Sequence, residues 1–332
     1  MNTGGYYSLK TYGSQDVWVK TLSEEAFNLE AYLKDKHYQR VYQKLAIKSY
    51  KKLKLENGIR HEIRLSHCCH LIHKVDAYIK KSNQKLKDVL KRIEVIYGGQ
   101  LFDKIASEDI ETQINMNAAI LKSNRKVTYI DSSIIVPLHM APFHDMNLIA
   151  PQSAYHDLDI RFESTCEEDI ELYADCYYIK DYKSPPVECL TLQQEDMGGG
   201  YSLKKGTNTF KLYFNHPTVC VYFWGFDKRH ITKIQLKLNT DPRELDDTTF
   251  YEGGIEPLEY YKHSRGITEE PICIFFTDVD FNKRPNSTVN FSRLDYPELI
   301  IESKVDSPFY LVGLHYQGYR CQNGMVGLVF SK

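Results

Sequence analysis

Histidines and cysteines crowd one short stretch of this 332-residue sequence and could together hold a metal ion. The stretch contains His61, His67, Cys68, Cys69, His70 and His73. A structural zinc site needs four thiolate or imidazole ligands arranged as a tetrahedron. Adjacent residues of a strand, such as Cys68 and Cys69, point to opposite faces, so both cannot easily bind one ion. The sequence offers no second ligand pair at a regular spacing. We therefore interpret the stretch as a strand and turn with packed thiols.

A second set of side chains combines imidazoles with carboxylates: His139, His144, Asp145, His156 and Asp157. A histidine works as a general base when a carboxylate within hydrogen-bond reach positions it. These residues fall in or beside predicted strands, and the sequence has no Gly-x-Ser-x-Gly element. The three glycines at 198–200 lack the Lys-Ser/Thr of a phosphate-binding loop. We therefore predict no enzymatic activity, no catalytic residue, no metal ligand and no cofactor.

The amino-acid composition and the net charge exclude several classes of protein. The formal net charge is −2, so no global basic field invites nucleic acid, and we expect no sequence-specific nucleic-acid partner. Local runs of lysine at 44–54 and 80–92 are interpreted as solvated strand faces, or else as contacts with an acidic surface such as a membrane leaflet. No apolar run is long enough to cross a bilayer, and no leader peptide is visible, which predicts a cytosolic protein. In that reducing compartment, we expect most of the eight cysteines to be buried thiols.

Strand patterns dominate the sequence. In 170–178, apolar and polar residues alternate, which puts one row on a core. Strands are also predicted at 40–50, 59–66, 71–79, 89–97, 132–138, 212–214, 219–224, 231–238, 271–278, 296–303, 309–316 and 325–330. Two helices are predicted, at 23–32 and at 107–121, the second with Ser107 as its N-cap.

Many short strands separated by turns favour an all-β fold over a βαβ fold. Pro185 and Pro186 mark the predicted break between two halves, each of a size that suits one jelly roll. We predict an N-terminal arm over 1–23, a first roll over 24–183 and a second roll over 184–332. Periodicity alone leaves immunoglobulin-like sandwiches and lectin-like rolls open.

Eight segments, in order along the chain, resemble the major capsid proteins of nucleocytoplasmic large DNA viruses. The first segment is the Gly-rich start with Tyr12-Gly13-Ser14-Gln15-Asp16. The others lie at 70–75, 93–104, 135–140 with 148–150, 155–162, 214–224, 290–295 and 323–331. In the last three, the sequence reads Phe-Asn-His-Pro followed by Phe-Trp, Phe-Ser-Arg-Leu-Asp, and Gly-Met-Val-Gly-Leu-Val-Phe-Ser. Collinearity of these short motifs makes the resemblance specific.

The resemblance implies two consecutive antiparallel jelly-roll sandwiches (a double jelly roll) with few short helices. It also implies a homotrimeric, pseudo-hexagonal capsomer of an icosahedral shell, located in the virion and assembled in the host cytoplasm. The implied partners are further copies of the chain, minor and penton capsid proteins, and an inner viral membrane. The alternatives are a minor, vertex or scaffold paralogue of the same fold, or a carbohydrate-binding or metal-dependent jelly roll.

The resemblance also assigns residues to structural roles. An assembly arm would tie neighbouring subunits, and a set of side chains would pack the second roll, whose sheet the strand at 324–330 would complete. The arm residues are Gly4, Gly5, Tyr12, Gly13, Gln15, Asp16 and Trp18. The second-roll residues are Phe214, His216, Pro217, Phe223 and Trp224.

Overall fold

A computed structural model shows the architecture of the chain. It describes residues 14–16, 18–19, 29–67, 69–80, 84–121, 123–144, 149–151, 154–183, 187–197, 201–237, 247–252, 272–276 and 288–330. Several residues named above lie outside this described part: Gly4, Gly5, Tyr12, Gly13, Cys68, Asp145, Pro185, Pro186 and the glycines at 198–200.

The chain forms two compact units. The first unit contains Leu22–Gln194 and Gln317–Ser331, and the second contains Met1–Thr21, Glu195–Tyr316 and Lys332. Neither unit is therefore continuous in sequence. The predicted division into 1–23, 24–183 and 184–332 stays a prediction.

The first unit is built from short helices and two antiparallel sheets. Its helices are α1 (Leu29–Leu33), α2 (Leu86–Val89) and α3 (Ile110–Ile120). Its strands up to residue 179 are β1 (Tyr38–Lys44), β2 (Ile47–Leu55), β3 (Gly58–Leu65), β4 (Leu71–Lys80), β5 (Leu90–Tyr97), β6 (Gln100–Ile105), β7 (Thr128–Ile130), β8 (Ser133–Pro137), β9 (Leu158–Ser164) and β10 (Glu171–Ile179). The sheet orders are β1-β10-β4-β8-β7 and β2-β3-β9-β5-β6.

Alternation along these strands builds the core of the first unit. In β9, Leu158, Ile160 and Phe162 are buried while the residues between them are partly exposed. They share one hydrophobic core with Ala174 and Cys176 of β10, which belongs to the other sheet. The inner faces of the two sheets therefore form a sandwich, as period-two patterning requires.

The remaining strands run from residue 187 onward. They are β11 (Val187–Asp196), β12 (Tyr201–Leu203), β13 (Gly206–Lys211), β14 (Pro217–Trp224), β15 (Ile231–Lys237), β16 (Asp247–Glu252), β17 (Ile272–Phe275), β18 (Val289–Asn290), β19 (Glu298–Ser303), β20 (Ser307–Gln322) and β21 (Met325–Leu328). One sheet has the order β11-β20-β14-β17, with β12 and β21 on β20 and β18 on β14, and the other has the order β13-β19-β15-β16.

The second unit has a hydrophobic core of its own. Val221 and Phe223 of β14 join Ile274 of β17 and Leu311 of β20 from one sheet. Ile234 and Leu236 of β15, with Leu299 and Ile301 of β19, come from the other sheet. The described strands of this unit pair antiparallel. The second unit is thus also a two-sheet sandwich, and the predicted all-β fold class is confirmed.

Some predicted elements differ from the structure. The strand predicted at 40–50 is two strands, because the chain breaks at Leu45, whose N–H bonds to Leu172 O at 2.8 Å. Residues 212–214 are not a strand, since β13 ends at Lys211. Helix α3 begins at Ile110, and its N-cap is Asp109, which accepts a 3.5 Å hydrogen bond from Thr112 N, rather than Ser107. Of the helix predicted at 23–32, the described part is α1.

The last strand also differs from its predicted place. β21 pairs with β20 between Tyr319 and Gln322. Val326, however, lies in the hydrophobic core of the first unit with Tyr319 and Cys321. The strand was predicted to complete the sheet of the second roll. β21 does pair with β20, in the sheet that also contains β14 and β17, but its residues are grouped with the first unit.

Candidate functional site

Within the second unit, polar side chains join the described part of the N-terminal segment to residues 216, 288 and 290. The hydroxyl of Thr288 donates to Asp16 Oδ1 at 2.8 Å. Asn290 Nδ2 donates to Gln15 Oε1 at 3.2 Å, and Gln15 Nε2 lies 3.4 Å from His216 Nδ1. We call this set, Gln15 and Asp16 with His216, Thr288 and Asn290, the clasp. It joins positions more than 200 residues apart.

Burial shows that the clasp is an internal contact of the second unit. Asp16 is 7% exposed and Val19 is 3% exposed, while Trp18 is partly buried. These residues therefore pack on their own chain, and the role of the segment as an assembly arm stays a prediction. Hydrogen bonds to buried side chains hold such a segment because an unpaired buried carboxylate costs free energy.

Of the residues predicted to pack the second roll, Phe214 and Phe223 lie in the hydrophobic core of the second unit, and His216, Pro217 and Trp224 are buried. All eight residues of β14, from Pro217 to Trp224, are buried. The Phe223 ring lies 5.9 Å from that of Phe309, on the core side. The Trp224 indole stacks on Tyr310 at 5.2 Å. Such ring pairs contribute beyond the area that they bury.

Phe214 packs against the backbone as well as against other rings. Its ring meets that of Phe291 edge-on at 5.3 Å. A Cβ placed on Gly313 would lie 2.6 Å from Phe214 Cε1, so only glycine fits at this position of β20. Gly313 therefore lets the Phe214 ring lie directly on the strand.

In the described part of the histidine and cysteine stretch, the imidazoles form hydrogen bonds within the fold. His61 is buried, and its Nε2 lies 2.9 Å from Cys166 O. A carbonyl can only accept, so Nε2 carries the proton and Nδ1 accepts from the Tyr50 hydroxyl at 2.8 Å. Burial lowers the pKa of His61, which favours this neutral form.

His70 has a structural role too. Its ring stacks on Tyr182 at 4.3 Å, and its Nδ1 accepts a 2.7 Å hydrogen bond from Ile179 N. Within the described ranges, no three His, Cys, Asp or Glu side chains converge as metal ligands. The stretch thus anchors strands of the first unit through its imidazoles.

The second set of histidines and carboxylates is dispersed. His139 Nε2 donates to Arg125 O at 2.8 Å, and His144 Nε2 donates to Leu192 O. Asp157 instead pairs with Lys48, whose Nζ lies 2.8 Å and 3.0 Å from the two carboxylate oxygens. That ammonium group lowers the pKa of Asp157. Among the described members of the set (His139, His144, His156 and Asp157), the structure joins no histidine to a carboxylate as an acid-base pair.

Lysines of the predicted basic run at 44–54 face carboxylates. Lys44, Lys48 and Lys52 pair with Glu171, Asp157 and Asp169 at 2.8–2.9 Å. The arginines of β3 behave alike, since Arg60 pairs with Glu163 and Arg64 with Asp159. These pairs favour the interpretation of solvated, charge-balanced strand faces. None of the described helices combines the length and apolar character needed to cross a bilayer.

Sequence reasoning missed three residues of this region. Thr288 and Asn290 complete the clasp, and Gly313 admits the Phe214 ring. Asn290 stood inside a recognised motif, but nothing in its local sequence indicated a partner at position 15. A contact across 275 residues is set by the fold and not by spacing.

Solved structures with a similar fold are viral capsid proteins. A chain of the PBCV-1 virus capsid matches with a TM-score of 0.65 at 12% identity, covering 90% of this chain and 98% of that one. The Faustovirus major capsid protein matches with a TM-score of 0.56 at 7% identity, covering 96% and 98%. The major capsid protein P2 of bacteriophage PM2 matches with a TM-score of 0.52 at 11% identity, covering 89% and 99%.

The chain has the double jelly-roll fold. The predicted pair of antiparallel jelly rolls is thereby confirmed, since the matches cover both units of the chain. No protein-family model matches the sequence. At identities of 7–12%, the likeness is one of fold.

Proposed function

We propose that this protein is a structural component of a viral capsid, most simply its major capsid protein. One observation carries the proposal: both rolls, each with its own core, match capsid proteins over nearly the whole chain. The role is burial of surface against other subunits and not chemistry. The ordered motifs of the sequence support the same conclusion.

Three copies would form the capsomer. A chain with two similar rolls supplies six rolls per trimer, so a three-fold assembly presents a pseudo-hexagonal outline that can tile a shell. The further partners would be neighbouring capsomers, minor and penton capsid proteins, and an underlying viral membrane. The site of action would be the icosahedral virion shell, with assembly in the host cytoplasm.

The N-terminal arm would take part in assembly, and its base, at Gln15 and Asp16, would be fixed to the second unit. The clasp attaches Gln15 and Asp16 to the second unit, so the residues before them, including Gly4, Gly5, Tyr12 and Gly13, would start from a defined point. Trp18 would help to hold that base. The arm would then tie neighbouring capsomers.

A second candidate is a minor or vertex paralogue of the same fold. The sequence favours it at one place, where His67-Cys68-Cys69-His70 stands instead of the Arg-Asn-Gly-Asp typical of the family that the chain resembles. The two candidates differ in copy number per particle. A metal-dependent roll is disfavoured, because His61, His70, His139 and His144 are held in structural hydrogen bonds.

The oligomeric state tests the proposal. The purified full chain, measured by light scattering coupled to size exclusion, is expected at three times the chain mass. Electron micrographs of the same sample should show a hexagonal outline with a three-fold axis. A monomer at all concentrations would contradict the capsomer, and a five-fold oligomer would favour the vertex paralogue.

A further inference from the structure

The second unit carries a small surface cavity with an aromatic rim. Its volume is about 220 Å³, and it lies between residues 211–215, at the end of β13, and residues 291–297, which precede β19. Two tyrosines, Tyr213 and Tyr296, line it and are 67% and 55% exposed. Two exposed tyrosine rings beside one cavity offer an amphipathic surface, because each ring is apolar while its hydroxyl can form hydrogen bonds.

The floor of the cavity is apolar and belongs to the core of the second unit. Phe214 and Phe291, in edge-on contact at 5.3 Å, belong to the lining and to the core of the second unit. Leu212 N donates to Pro297 O at 2.9 Å and fixes one segment to the other. Because both tyrosines sit on segments held in this way, the cavity is formed before any ligand arrives.

The clasp supports the same cavity. Asn290 Oδ1 accepts from Ser292 Oγ at 2.6 Å and from Ser292 N at 3.3 Å, while its Nδ2 donates to Gln15. Ser292 lines the cavity. The turn that carries one wall is therefore held by a hydrogen-bond network.

The polar groups at the cavity are few and balanced in charge. Lys211 and Asp295 line it with Asn215, and all three are exposed. One ammonium group and one carboxylate give no net field that would select an anion or a cation. Together with the amide, they can donate to and accept from hydroxyl groups.

We propose that this cavity binds a single neutral sugar ring of a glycan. A pyranose has an apolar C–H face that packs on a tyrosine ring and an edge of hydroxyls that suits Asn215, Asp295 and Lys211. The volume lies below the range of about 300–1,000 Å³ that holds drug-sized ligands, so one ring fits and a longer chain would extend into solvent. The site is distinct from the dispersed histidine and aspartate set of the first unit.

Binding to monosaccharides tests the proposal. Saturation-transfer difference NMR on the full chain would use the methyl glycosides of glucose, galactose, mannose, fucose and N-acetylglucosamine, each in turn. We expect transfer to at least one of them, with a dissociation constant in the millimolar range expected of so small a ligand. Tyr213→Ala and Tyr296→Ala should each reduce the transfer by about fivefold or more, because each removes a stacking surface.

Matched variants separate binding from folding. Tyr213→Phe keeps the ring and should retain most of the transfer. Tyr155→Ala removes the most exposed tyrosine of the first unit, 81% exposed, and should change nothing. Near-ultraviolet circular dichroism would verify that each variant is folded.

Three results would overturn the proposal: no transfer to any of the five glycosides, transfer that survives Tyr213→Ala with Tyr296→Ala, or loss of self-association in those variants. The last result would mean that a second copy of the chain fills the cavity. A trimer that forms normally but binds no sugar would refute this inference and leave the capsid proposal intact.

Discussion

The hydroxyl of Thr288 donates a 2.8 Å hydrogen bond to the carboxylate of Asp16, across 272 residues of sequence. Both side chains are buried, at 5% and 7% exposure. The carboxylate is a hydrogen-bond acceptor in an environment that offers little water, so its loss leaves the Thr288 hydroxyl without this partner. The contact makes the N-terminal segment a part of the second unit.

Asp16→Ala is expected to destabilise the second unit by about 1–3 kcal/mol, the cost of breaking a buried hydrogen bond to a charged group. Asp16→Asn keeps an acceptor oxygen and should cost less. Urea unfolding followed by tryptophan fluorescence measures both, since Trp18 and Trp224 lie in this unit. The control is Asp35→Ala at an exposed position, and a loss no larger than the control's would contradict the role of the clasp.

Gly313→Ala should destabilise the protein by about 1–3 kcal/mol through overpacking, because the added methyl group would lie 2.6 Å from the Phe214 ring. Gly327→Ala is the matched control, since its nearest atom, Gln100 Oε1, is 3.3 Å away on a side chain. Adding Phe214→Leu to Gly313→Ala should recover part of the loss. Thermal unfolding of the four proteins as a double-mutant cycle would reveal this coupling, and strict additivity would count against it.

Stability should fall as the pH drops below about 6.5, and His61 is one cause. Burial lowers the pKa of His61 in the folded protein, so the unfolded chain takes up a proton at a higher pH than the folded chain does. The stabilisation is thus complete above the unfolded pKa and is lost as the pH falls through the folded value.

His61→Gln removes this titration, and the free energy of unfolding should depend less steeply on pH between 7.5 and 5 than in the parent, as about one fewer proton is linked to unfolding. His37→Gln, at an exposed site, is the control. Urea titrations at a series of pH values give the slopes. Equal slopes for His61→Gln and the parent would exclude His61 as a contributor.

Deleting residues 1–13 should leave a folded trimer that fails to assemble further. The deletion spares Gln15 and Asp16, so the clasp and the second unit keep their contacts. Light scattering would report the trimer, and electron microscopy would report shells or sheets of capsomers. A deleted chain that assembles like the parent, or that loses the trimer itself, would refute the proposed arm.

Local sequence patterns were sufficient to predict the fold class and the positions of many strands. The alternation at 170–178 predicted β10, and the predicted strand at 71–79 differs from β4 by one residue. Such patterns report which face of a strand is buried, because side chains alternate between the two faces. The family resemblance, and not alternation, pointed to Phe214 and Phe223, and both lie in the hydrophobic core of the second unit.

Contacts between distant segments were not predictable in this way. Leu212 and Phe214 are buried and alternate with exposed residues, as in a strand. They nevertheless lie in an irregular segment, in which Leu212 N donates a hydrogen bond to Pro297 O. The partners of Asp16 and the allocation of Val326 to the first unit depend on which strands become neighbours. A single sequence without an alignment contains no direct signal for such pairings, and so the cavity between Tyr213 and Tyr296 was also missed.

The continuation of β20 past Tyr316 has a consequence for biosynthesis. Residues 317–331, which supply Tyr319, Cys321 and Val326 to the core begun at Leu33, leave the ribosome after the entire second unit. The hydrophobic core of the first unit therefore stays incomplete until residues 317–331 have been translated. A polypeptide interrupted anywhere before residue 317 would lack Tyr319, Cys321 and Val326 and would carry an unfinished hydrophobic core in the first unit.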